Sequence, residues 1–474
     1  SNTAINCSYG DLSTEYYVSN TGNDEYYDGS EAFPFKTIQY ALDMAENDYT
    51  IHVASGTYNE NIEWPYLTSG IKLLGAGIGN SIIDGGDQGT VIRIATWGNE
   101  GSSTQIGNDT HISGFTIQNG SNSGIYLIYA GPTLSDLEIK DNSSQYGGGM
   151  YISWSWPIVE NVTIDNNTAE KGGGVFISSS GLNNMNETYN PVTFNNIIFS
   201  NNRAITSGGR SGGAIHGQQA VGVEVSNSLF FNNEADEGGA IYLKDYSTAF
   251  LDRVTIVDNI ASEGAGIFNY WGANAVVTNS IISGNEGDSQ ITIYETFDAN
   301  NGTHVSSADI SYTNFQGYDT GVIDIDGGLV WGDGNIDEDP EFVDPEDGNY
   351  NLESTSHCID AGTADTDGDG VDDITGYYGY APDMGAYESE YTAIAGCMDP
   401  IAQNYNPDAW IDEPCEYEGG NYALEFDGVD DYVQIDDPGP GTIYAPGDND
   451  LTVIGWIRTP ELLSDQQLIV SWYR

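Results

Sequence analysis

The feature that most constrains this chain is a phrase of glycines followed by alternating apolar and aromatic residues, which recurs through the middle of the sequence. It reads GGGMYIS, GGGVFIS, GGAIHG, GGAIYL and GAGIFN. The apolar residues that follow the glycines are separated by 25, 40, 26 and 26 residues: Met150, Val175, Ile215, Ile241 and Ile267. The long step is one period with about 14 inserted residues. A fixed period of this length indicates stacked repeats rather than a domain with one central core.

An asparagine recurs at a second phase of the same period, where an apolar strand pattern ends. The residues at this phase are Asn142, Asn167, Asn202, Asn233, Asn259 and Asn285. Asparagine tolerates the left-handed turn conformation, and its amide can hydrogen-bond the asparagine of the next period. Each period contains short alternating strands without a helical pattern, and it is too short to bury its apolar side alone. We therefore predict an all-β fold, a parallel β-solenoid with coils stacked about 4.8 Å apart and with Asn and Gly at two corners.

Charge excludes one large class of partner. The 474 residues include 11 Lys and Arg against 72 Asp and Glu, which gives a formal net charge of −61. A nucleic-acid binder needs a basic surface, so we expect no nucleic-acid partner. A polyanionic polysaccharide would also be repelled unless divalent cations bridge it, and a surface this acidic suits salty water. No apolar run reaches the roughly 20 residues of a membrane-spanning helix, and the first residues lack a secretory signal, so we expect a processed chain or a part of a longer one, without a membrane span.

Several of these phrases resemble known families. The GGA-I and F-x-x-N phrases resemble the repeats of polymorphic outer membrane proteins, and residues 14–388 look like the right-handed parallel β-helix domains grouped with pectate lyases. TEYYVSNTGND, FKTIQYALDMA and TIHVASGTYNENI resemble the entry strand, capping helix and first coil of that group. The helical spacing of Ile38, Ala41, Leu42 and Ala45 independently favours the cap. DPEFVDPEDGNYNLESTSHCIDAG and DMGAYE resemble the closing segment of bacterial surface β-helices.

Two smaller pieces follow the predicted β-helix, and a tail at residues 1–13 precedes it. Residues 389–420 form an Asp- and Asn-rich linker, in which we expect Cys397 and Cys415 to form a local disulfide, the sign of an oxidising compartment. YALEFDGVDDYVQI and LTVIGWIR resemble the opening strands of a laminin G-like, concanavalin A-type jelly roll. Residues 421–474 are too few for a complete jelly roll. Cys7 and Cys358 are expected to stay unpaired.

The residue after each inward apolar marker must point outward, because side chains alternate along a strand. These outward residues form an aromatic file on consecutive coils: Tyr126, Tyr151, Phe176, His216, Tyr242 and Phe268. Further aromatic residues flank the file: Trp154, Trp156, Tyr246, Tyr270 and Trp271. Aromatic rings can stack against the apolar C–H faces of sugars, so we predict that these residues bind a ligand. The alternative is that the rings only stabilise the solenoid as cross-strand pairs.

Few basic residues near this file could support catalysis. A polysaccharide lyase needs a base that removes the proton beside a uronate carboxylate, and a cation that neutralises that carboxylate. The one cluster to test for such a role comprises His216, Lys244, Arg203 and Arg210. The N-T-D, G-H-G, R-I-K and W-I-D-H phrases of β-helix lyases and polygalacturonases are missing from the sequence. We therefore predict no catalytic residues and keep this cluster as the alternative.

The clearest metal signal is DTDGDGVDD. Its carboxylates alternate around two glycines, at Asp365, Asp367, Asp369 and Asp373, and alternate carboxylates on a tight loop can converge on one hard cation. The phrase resembles EF-hand-like and thrombospondin type 3 calcium loops, although Gly376 replaces the expected bidentate glutamate. We predict a structural Ca²⁺ here, with a solvated acidic turn as the alternative.

These observations lead to three functional hypotheses. The first is a secreted or cell-surface protein, bacterial and suited to a marine habitat, that attaches without catalysis to a neutral or Ca²⁺-bridged polysaccharide or to a partner surface. The second is a polysaccharide lyase or glycosidase that uses the same face. The third is a structural stalk that displays the C-terminal segment. The fold class alone does not choose among them, because solenoids of this kind host enzymes and adhesins alike.

Overall fold

Three parallel sheets form the main body of the protein in the computed structural model, which describes residues 14–96, 106–180, 191–205, 211–294, 296–298, 302–325, 328–407 and 409–416. The chain visits sheets 1 and 2 in turn, so that each pass adds a strand to them beside the strand of the previous pass, and three of the passes also add a strand to sheet 3. We call one such pass a rung. This arrangement is a parallel β-helix and confirms the predicted solenoid.

Sheet 1 carries the glycine-led strands. Its ten strands follow the order of the rungs: Ile62–Glu63, Ile92–Ala95, Ile125–Ile128, Met150–Ser153, Val175–Ser178, Ile215–Gln218, Ile241–Leu243, Ile267–Tyr270, Ile291–Tyr294 and Val322–Ile325. In register, Met150 pairs with Val175, Val175 with Ile215, Ile215 with Ile241 and Ile241 with Ile267. The alignment made from the glycine phrases is therefore the alignment of the strands, and the insertion before Ile215 leaves the register intact.

Sheet 2 lies on the next side of each rung and has the longest strands. Its path runs through Glu15–Val18, Thr50–Val53, Lys72–Gly75, His111–Gln118, Thr133–Lys140, Ile158–Asp165, Val192–Ser200, Gly222–Phe231, Thr248–Val257, Asn274–Thr278, Ser307–Ser311 and Gly328–Trp331, with Gly56–Asn59, Ser81–Asp84, Ile281–Ser283 and Asn314–Phe315 paired beside it. Sheet 3 is short and contains Ser143–Tyr146, Thr168–Lys171 and Arg203–Ala204.

The smaller elements lie outside the three parallel sheets. They are the helix Ile38–Met44, the 3₁₀ turns Tyr318–Gly321 and Pro345–Asp347, and the strand pairs Thr296–Asp298 with Gly302–His304, Phe342–Asp344 with Asn349–Leu352, and Ala395–Gly396 with Ile411–Asp412. Ile38, Ala41 and Leu42 of the helix are fully buried in the main core. The Thr37 hydroxyl accepts a hydrogen bond from the Tyr40 amide and begins the helix as an N-cap.

The predicted asparagine corner is a continuous buried ladder. The side-chain amide of Asn167 donates to Asn202 Oδ1 at 3.0 Å, and Asn202 donates to Asn233 Oδ1 at 3.0 Å. The same bond joins Asn142 to Asn167 at its start, and it continues through Asn259 to Asn285. Each ladder amide also donates to a backbone carbonyl of the preceding rung. The ladder thus provides hydrogen-bond partners for the buried side-chain amides and for the backbone carbonyls at this corner.

Two further hydrophobic clusters lie outside the solenoid. The main core fills its interior, whereas Leu352, Ile359 and Met384 pack on Ile281, and Tyr350 and Ala386 pack on Leu229 and Val257. The segment after residue 340 therefore folds back along the outer face of sheet 2. The Tyr350 hydroxyl donates to Asp258 Oδ2 at 2.8 Å and fixes this return.

The cysteines follow the expectation where the structure describes them. Cys397 and Cys415 form a disulfide, and Cys358 is a buried free thiol. Cys7, the tail at residues 1–13 and the laminin G-like segment 421–474 lie outside the described residues, so the division of the chain into four parts stays a prediction.

Candidate functional site: an aromatic corner beside a buried stack

The predicted aromatic file exists as a stack along sheet 1. The ring centroids of Tyr126 and Tyr151 lie 4.5 Å apart, and those of His216 and Tyr242 lie 4.8 Å apart. Phe176 and Phe268 continue the stack at distances of 5.3–5.6 Å from their neighbours. At one end, the Arg93 guanidinium lies 5.6 Å from the Tyr126 ring as a cation–π contact. Strand register alone produces this stack, because it places one ring above the next at each rung.

The expectation that the whole file is an open platform is wrong. Phe176, His216, Tyr242 and Phe268 are buried, and only Tyr126 and Tyr151 are half-buried. The ring of Tyr146, which comes from sheet 3, lies 5.0 Å from the Phe176 ring and covers part of it. Alternation along a strand determines which side of the sheet a ring occupies, but it does not show what covers that side. The four central rings cannot stack against a sugar while they stay buried, and they stabilise the solenoid as cross-strand pairs.

The basic cluster is partly assembled, but its histidine is inaccessible. Burial, together with the charges of Lys171 and Lys244, lowers the pKa of His216 to about 3. His216 is fully buried, and its Nδ1 has no hydrogen-bond partner among the described atoms. A neutral imidazole without access to solvent cannot exchange a proton with a bound polysaccharide. Lys171, whose own pKa is lowered by burial, was missed in the sequence because it comes from sheet 3 rather than from a glycine phrase.

The other members of that cluster lie elsewhere or are paired. Lys244 Nζ lies 3.2 Å from Asp245 Oδ2. Arg203 pairs with Glu234 at 3.0 Å on the sheet 3 side, where both side chains are about half exposed. Arg210 lies outside the described residues. Apart from the buried His216, the described members therefore contribute ion pairs rather than a site that could remove a proton.

Exposed aromatic residues do occur at the corner that follows sheet 1. Trp154 is 47% exposed and Tyr246 is 52% exposed. Tyr129 and Trp271 are half-buried, and Tyr129 stacks on Trp154 with ring centroids 5.9 Å apart. We call these four residues the aromatic corner. Tyr129 was missed in the sequence, although it precedes Trp154 by one period of 25 residues.

All four residues of the aromatic corner have left-handed backbone conformations. Their φ angles are 51° for Tyr129, 51° for Trp154, 62° for Tyr246 and 53° for Trp271. This conformation costs a bulky residue about 1–2 kcal/mol, and Asn, Asp and Gly are the residues that tolerate it. The corner before the asparagine ladder follows that rule, with Asp141, Asn166, Asn201, Asn232 and Asp258 at positive φ. The aromatic corner departs from the rule that the same chain obeys one corner away.

A histidine packs against Tyr246 and Trp271 of the aromatic corner. His304 comes from the hairpin strand Gly302–His304, and its Nδ1 hydrogen-bonds the Tyr246 hydroxyl. The His304 ring centroid lies 5.4 Å from that of Tyr246 and 5.4 Å from that of Trp271. Its Nε2 is buried and has no partner among the described atoms. His304 lies outside the 25-residue period, so no sequence signal connected it with this corner.

The two remaining flanking aromatic residues support the fold more than they present a surface. Trp156 lies over Gly131, where a Cβ atom would come within 2.4 Å of its ring. Tyr270 is half-buried, with ring centroids 6.1 Å from Trp271 and 6.4 Å from Tyr294. Trp156 therefore fills the space left by a glycine one rung earlier, and Tyr270 supports the back of Trp271.

Three of the four predicted calcium ligands converge. Asp365, Asp367 and Asp373 each place a carboxylate oxygen within 4.8 Å of the others, whereas Asp369 does not belong to this group. Asp369 instead accepts a hydrogen bond from the Val371 amide. Hydrogen bonds from Thr366 lower the pKa of Asp373. Carboxylate oxygens are the ligands that Ca²⁺ prefers, so the three converging residues fit such an ion.

The fold defines the class of this protein as a parallel β-helix, and sequence families agree. Residues 20–215 match a family described as a protein of unknown function, DUF1565, and residues 227–244 match the Chlamydia polymorphic membrane protein repeat. The second match agrees with the resemblance of the glycine phrases. No curated protein matches the sequence.

Solved structures similar to this chain include several carbohydrate-active proteins. Pectate lyase Pel9A is 14% identical with a TM-score of 0.41, over 79% of this chain and 96% of that one. XylC in complex with xylose is 12% identical with a TM-score of 0.37, over 69% and 87%. An alginate lyase from Paenibacillus sp. str. FPU-7 is 16% identical with a TM-score of 0.32, over 62% and 95%. Similarity of this extent does not decide what the present chain binds.

Proposed function

We propose that this protein is a secreted or surface-attached β-helix that holds a polysaccharide, without catalysis, against the aromatic corner. The observation that carries the proposal is the left-handed backbone of four aromatic residues at one corner, two of them exposed. Strained backbone conformations cluster at functional sites. An aromatic residue at a position that Asn or Gly would occupy without strain therefore indicates that its ring has a function. Exposed aromatic rings are the side chains that stack on sugars.

The spacing of the rings indicates the shape of the ligand. The strands of Trp154 and Tyr246 are three rungs apart, which is about 14 Å at the usual strand spacing. Tyr129 and Trp271 lie one rung further out on either side, so the corner extends over about 24 Å. A single sugar cannot contact both the Tyr129–Trp154 pair and the Tyr246–Trp271 pair, whereas an extended sugar chain along the solenoid axis can. The net charge of −61 favours a neutral glycan or one bridged by Ca²⁺.

Two observations support an extracellular location. The disulfide between Cys397 and Cys415 is a feature of oxidising compartments. The matched repeat is described as that of a Chlamydia polymorphic membrane protein. No helix among the described residues is long and apolar enough to cross a membrane.

Asparagine substitutions at the corner test the proposal while they keep a residue that accepts the left-handed backbone. We expect Trp154→Asn, Tyr246→Asn and Trp271→Asn together to abolish retention on neutral polysaccharides, because asparagine accepts the left-handed backbone but provides no ring. The unfolding midpoint should fall by no more than about 5 °C, because His304 loses its hydrogen bond to Tyr246 while the relaxed backbone offsets part of that loss. The measurement is affinity electrophoresis in gels that contain a panel of neutral glycans, with Tyr26→Ala as the control for loss of an exposed aromatic residue elsewhere.

The possible results distinguish attachment to a glycan from catalysis and from a purely structural role. Retention by the wild type and by Tyr26→Ala, lost in the triple variant, would support attachment. Unchanged retention in the triple variant would overturn the assignment of the corner. Release of unsaturated or reducing sugars that is abolished by Lys244→Ala would instead favour the lyase or glycosidase hypothesis. Absence of retention on every glycan would favour a structural stalk.

A further inference from the structure

The outer face of sheet 2 carries a pocket that lies between this sheet and the Asp-rich loop and shares no residue with the aromatic corner. Its volume is about 340 Å³, at the lower end of the range for ligand sites. Two strands of sheet 2 form its floor, and the Asp-rich loop forms its wall. The lining residues are Phe250, Leu251, Asp252, Arg253, Val276, Thr278, Thr366, Asp373 and Ile374. This face is the next side of the solenoid from the aromatic stack.

Arg253 differs from the residues at the equivalent position of the neighbouring rungs. On six successive rungs of sheet 2, one residue other than glycine has a positive φ and breaks the alternation of side chains, either within a long strand or directly after a strand; these residues are Asp136, Asn161, Asn196, Asn227, Arg253 and Asn279. Five of the six are Asp or Asn, which tolerate φ near 50°, whereas Arg253 has a φ of 52° and no such tolerance. Tyr312, one rung further, also departs from the rule, but it packs in the C-terminal cluster. Arg253 is one of only 11 Lys and Arg residues in the chain, and it lies at the pocket.

The side chains around Arg253 are held in place. Its Nε donates to Asp252 Oδ2 at 2.9 Å, a bond that uses one of the five N–H donors of the guanidinium. Asp252 Oδ1 accepts from the Asn279 amide at 2.9 Å, and the same amide donates to the Thr363 carbonyl at 3.0 Å. Asn279 therefore ties the Asp-rich loop to sheet 2 and orients Asp252 at the same time. The Arg253 and Asp252 side chains are 26% and 30% exposed, so the pair is accessible from the pocket.

The chemistry of the lining selects the ligand class. Arg253 supplies donors, Asp252 and Asp373 supply acceptors, and the Thr278 hydroxyl supplies both, whereas the Thr366 hydroxyl donates to Asp373 and can only accept. A small anion would meet the two carboxylates, and a cation would meet the guanidinium, whereas vicinal hydroxyl groups can donate to the carboxylate and accept from the guanidinium. Phe250 is 42% exposed at the floor and provides an apolar face for ring C–H groups.

We propose that this pocket binds one neutral saccharide unit, with Arg253 and Asp252 hydrogen-bonding adjacent hydroxyls and Phe250 stacking on the ring. The site is independent of the aromatic corner, because it lies on a different sheet and shares no residue with it. The protein then has two carbohydrate contacts, an extended one along the corner and a small one on the neighbouring face. Two contacts on one rigid solenoid would raise the avidity for a branched or multivalent glycan.

The test uses Arg253→Asn in the full chain. Asn227 and Asn279 occupy this position in the neighbouring rungs, so the variant relieves backbone strain and should unfold at the wild-type temperature or above. The probes are methyl glycosides of neutral hexoses and pentoses, with glucuronate and inorganic phosphate as charged comparators, and binding is measured by saturation-transfer NMR titration. We expect the wild type to bind a neutral glycoside and Arg253→Asn and Phe250→Ala each to bind it at least about tenfold more weakly.

The control variants separate this site from the proposed function. Arg203→Gln removes another cation, and the triple asparagine variant of the aromatic corner removes the other contact; both should bind the methyl glycoside as the wild type does. Unchanged affinity in Arg253→Asn, binding of glucuronate or phosphate alone, or no binding of any probe by the wild type would overturn the proposal. A triple corner variant that loses polysaccharide retention but still binds the glycoside would support both sites.

Discussion

Residues other than glycine adopt positive φ angles at three points of most rungs, and the residue type at each point indicates its role. Asp141 and Asn166 suit the geometry of their corner, because Asx side chains accept the left-handed region, and the Asn166 amide donates to Asp141 Oδ1 at 2.6 Å. Trp154 and Arg253 occupy equivalent geometry with side chains that the backbone disfavours. Comparing rungs of one chain in this way separates residues that serve the fold from residues that carry function, without any alignment of relatives.

The Asp-rich loop gives a prediction at the same scale. We expect EDTA to lower the midpoint of thermal unfolding by about 5 °C, because a bound ion stabilises only the folded loop. Asp367→Ala should remove this sensitivity, since Asp367 belongs to the group of three converging carboxylates. Asp369→Ala is the matched control and should keep it, because Asp369 is not part of that group. Circular dichroism melts with Ca²⁺ and with EDTA measure the effect, and an EDTA-indifferent wild type would contradict the calcium prediction.

At the scale of elements, the asparagine ladder joins neighbouring rungs through side chains that lie a full rung apart in the sequence. Asn202 accepts bonds from the Asn167 amide and side chain at 3.2 and 3.0 Å, and donates to Asn233 Oδ1 and the Ile164 carbonyl. All three asparagines are fully buried. Loss of one member would leave several buried polar groups without partners, so the ladder couples the stability of successive rungs.

Removal of one ladder residue should therefore be costly. We expect Asn202→Ala to lower the free energy of unfolding by about 2–4 kcal/mol, because partners on both sides lose a buried hydrogen bond. Guanidinium denaturation followed by circular dichroism measures the change. Asn201→Gly is the control, since Asn201 is exposed at φ 54° and glycine accepts that conformation. Equal stability of the two variants would show that the ladder bonds contribute nothing beyond the corner geometry.

At the scale of the whole molecule, two opposing effects shape the protein. The long apolar interior and the returning C-terminal segment favour the compact state. The net charge of −61 opposes it, because like charges repel along an elongated surface. The five side-chain ion pairs among the described residues use few of the 72 acidic groups. We therefore expect the stability of the folded state to increase with the salt concentration.

We expect the unfolding midpoint to rise by on the order of 5 °C between 20 mM and 1 M NaCl, as the Debye length shortens and screens this repulsion. Differential scanning calorimetry measures the midpoint, and choline chloride serves as the control for specific effects of Na⁺. A midpoint that falls or stays constant in both salts would show that self-repulsion does not limit the folded state.

The sequence by itself determined the rungs, their register and two of their corners. A period of 25 or 26 residues, with Gly and Asn at fixed phases, allows only one alignment of Met150, Val175 and Ile215, and strand pairing then stacks the aromatic file. These properties are local and periodic, so they can be read along the chain. The four-carboxylate phrase likewise predicted three of the residues that converge in the Asp-rich loop.

The tertiary structure alone decided which of these residues a ligand can reach. Burial of His216, the partnership of His304 with Tyr246, and the pocket beside Arg253 depend on segments that meet across many residues of chain. Thr366 and Asp373 reach Arg253 only because the chain folds back over sheet 2 after the solenoid is complete. Alternation along a strand defines the side of a residue, whereas exposure is set by what later packs on that side, and no local pattern encodes it.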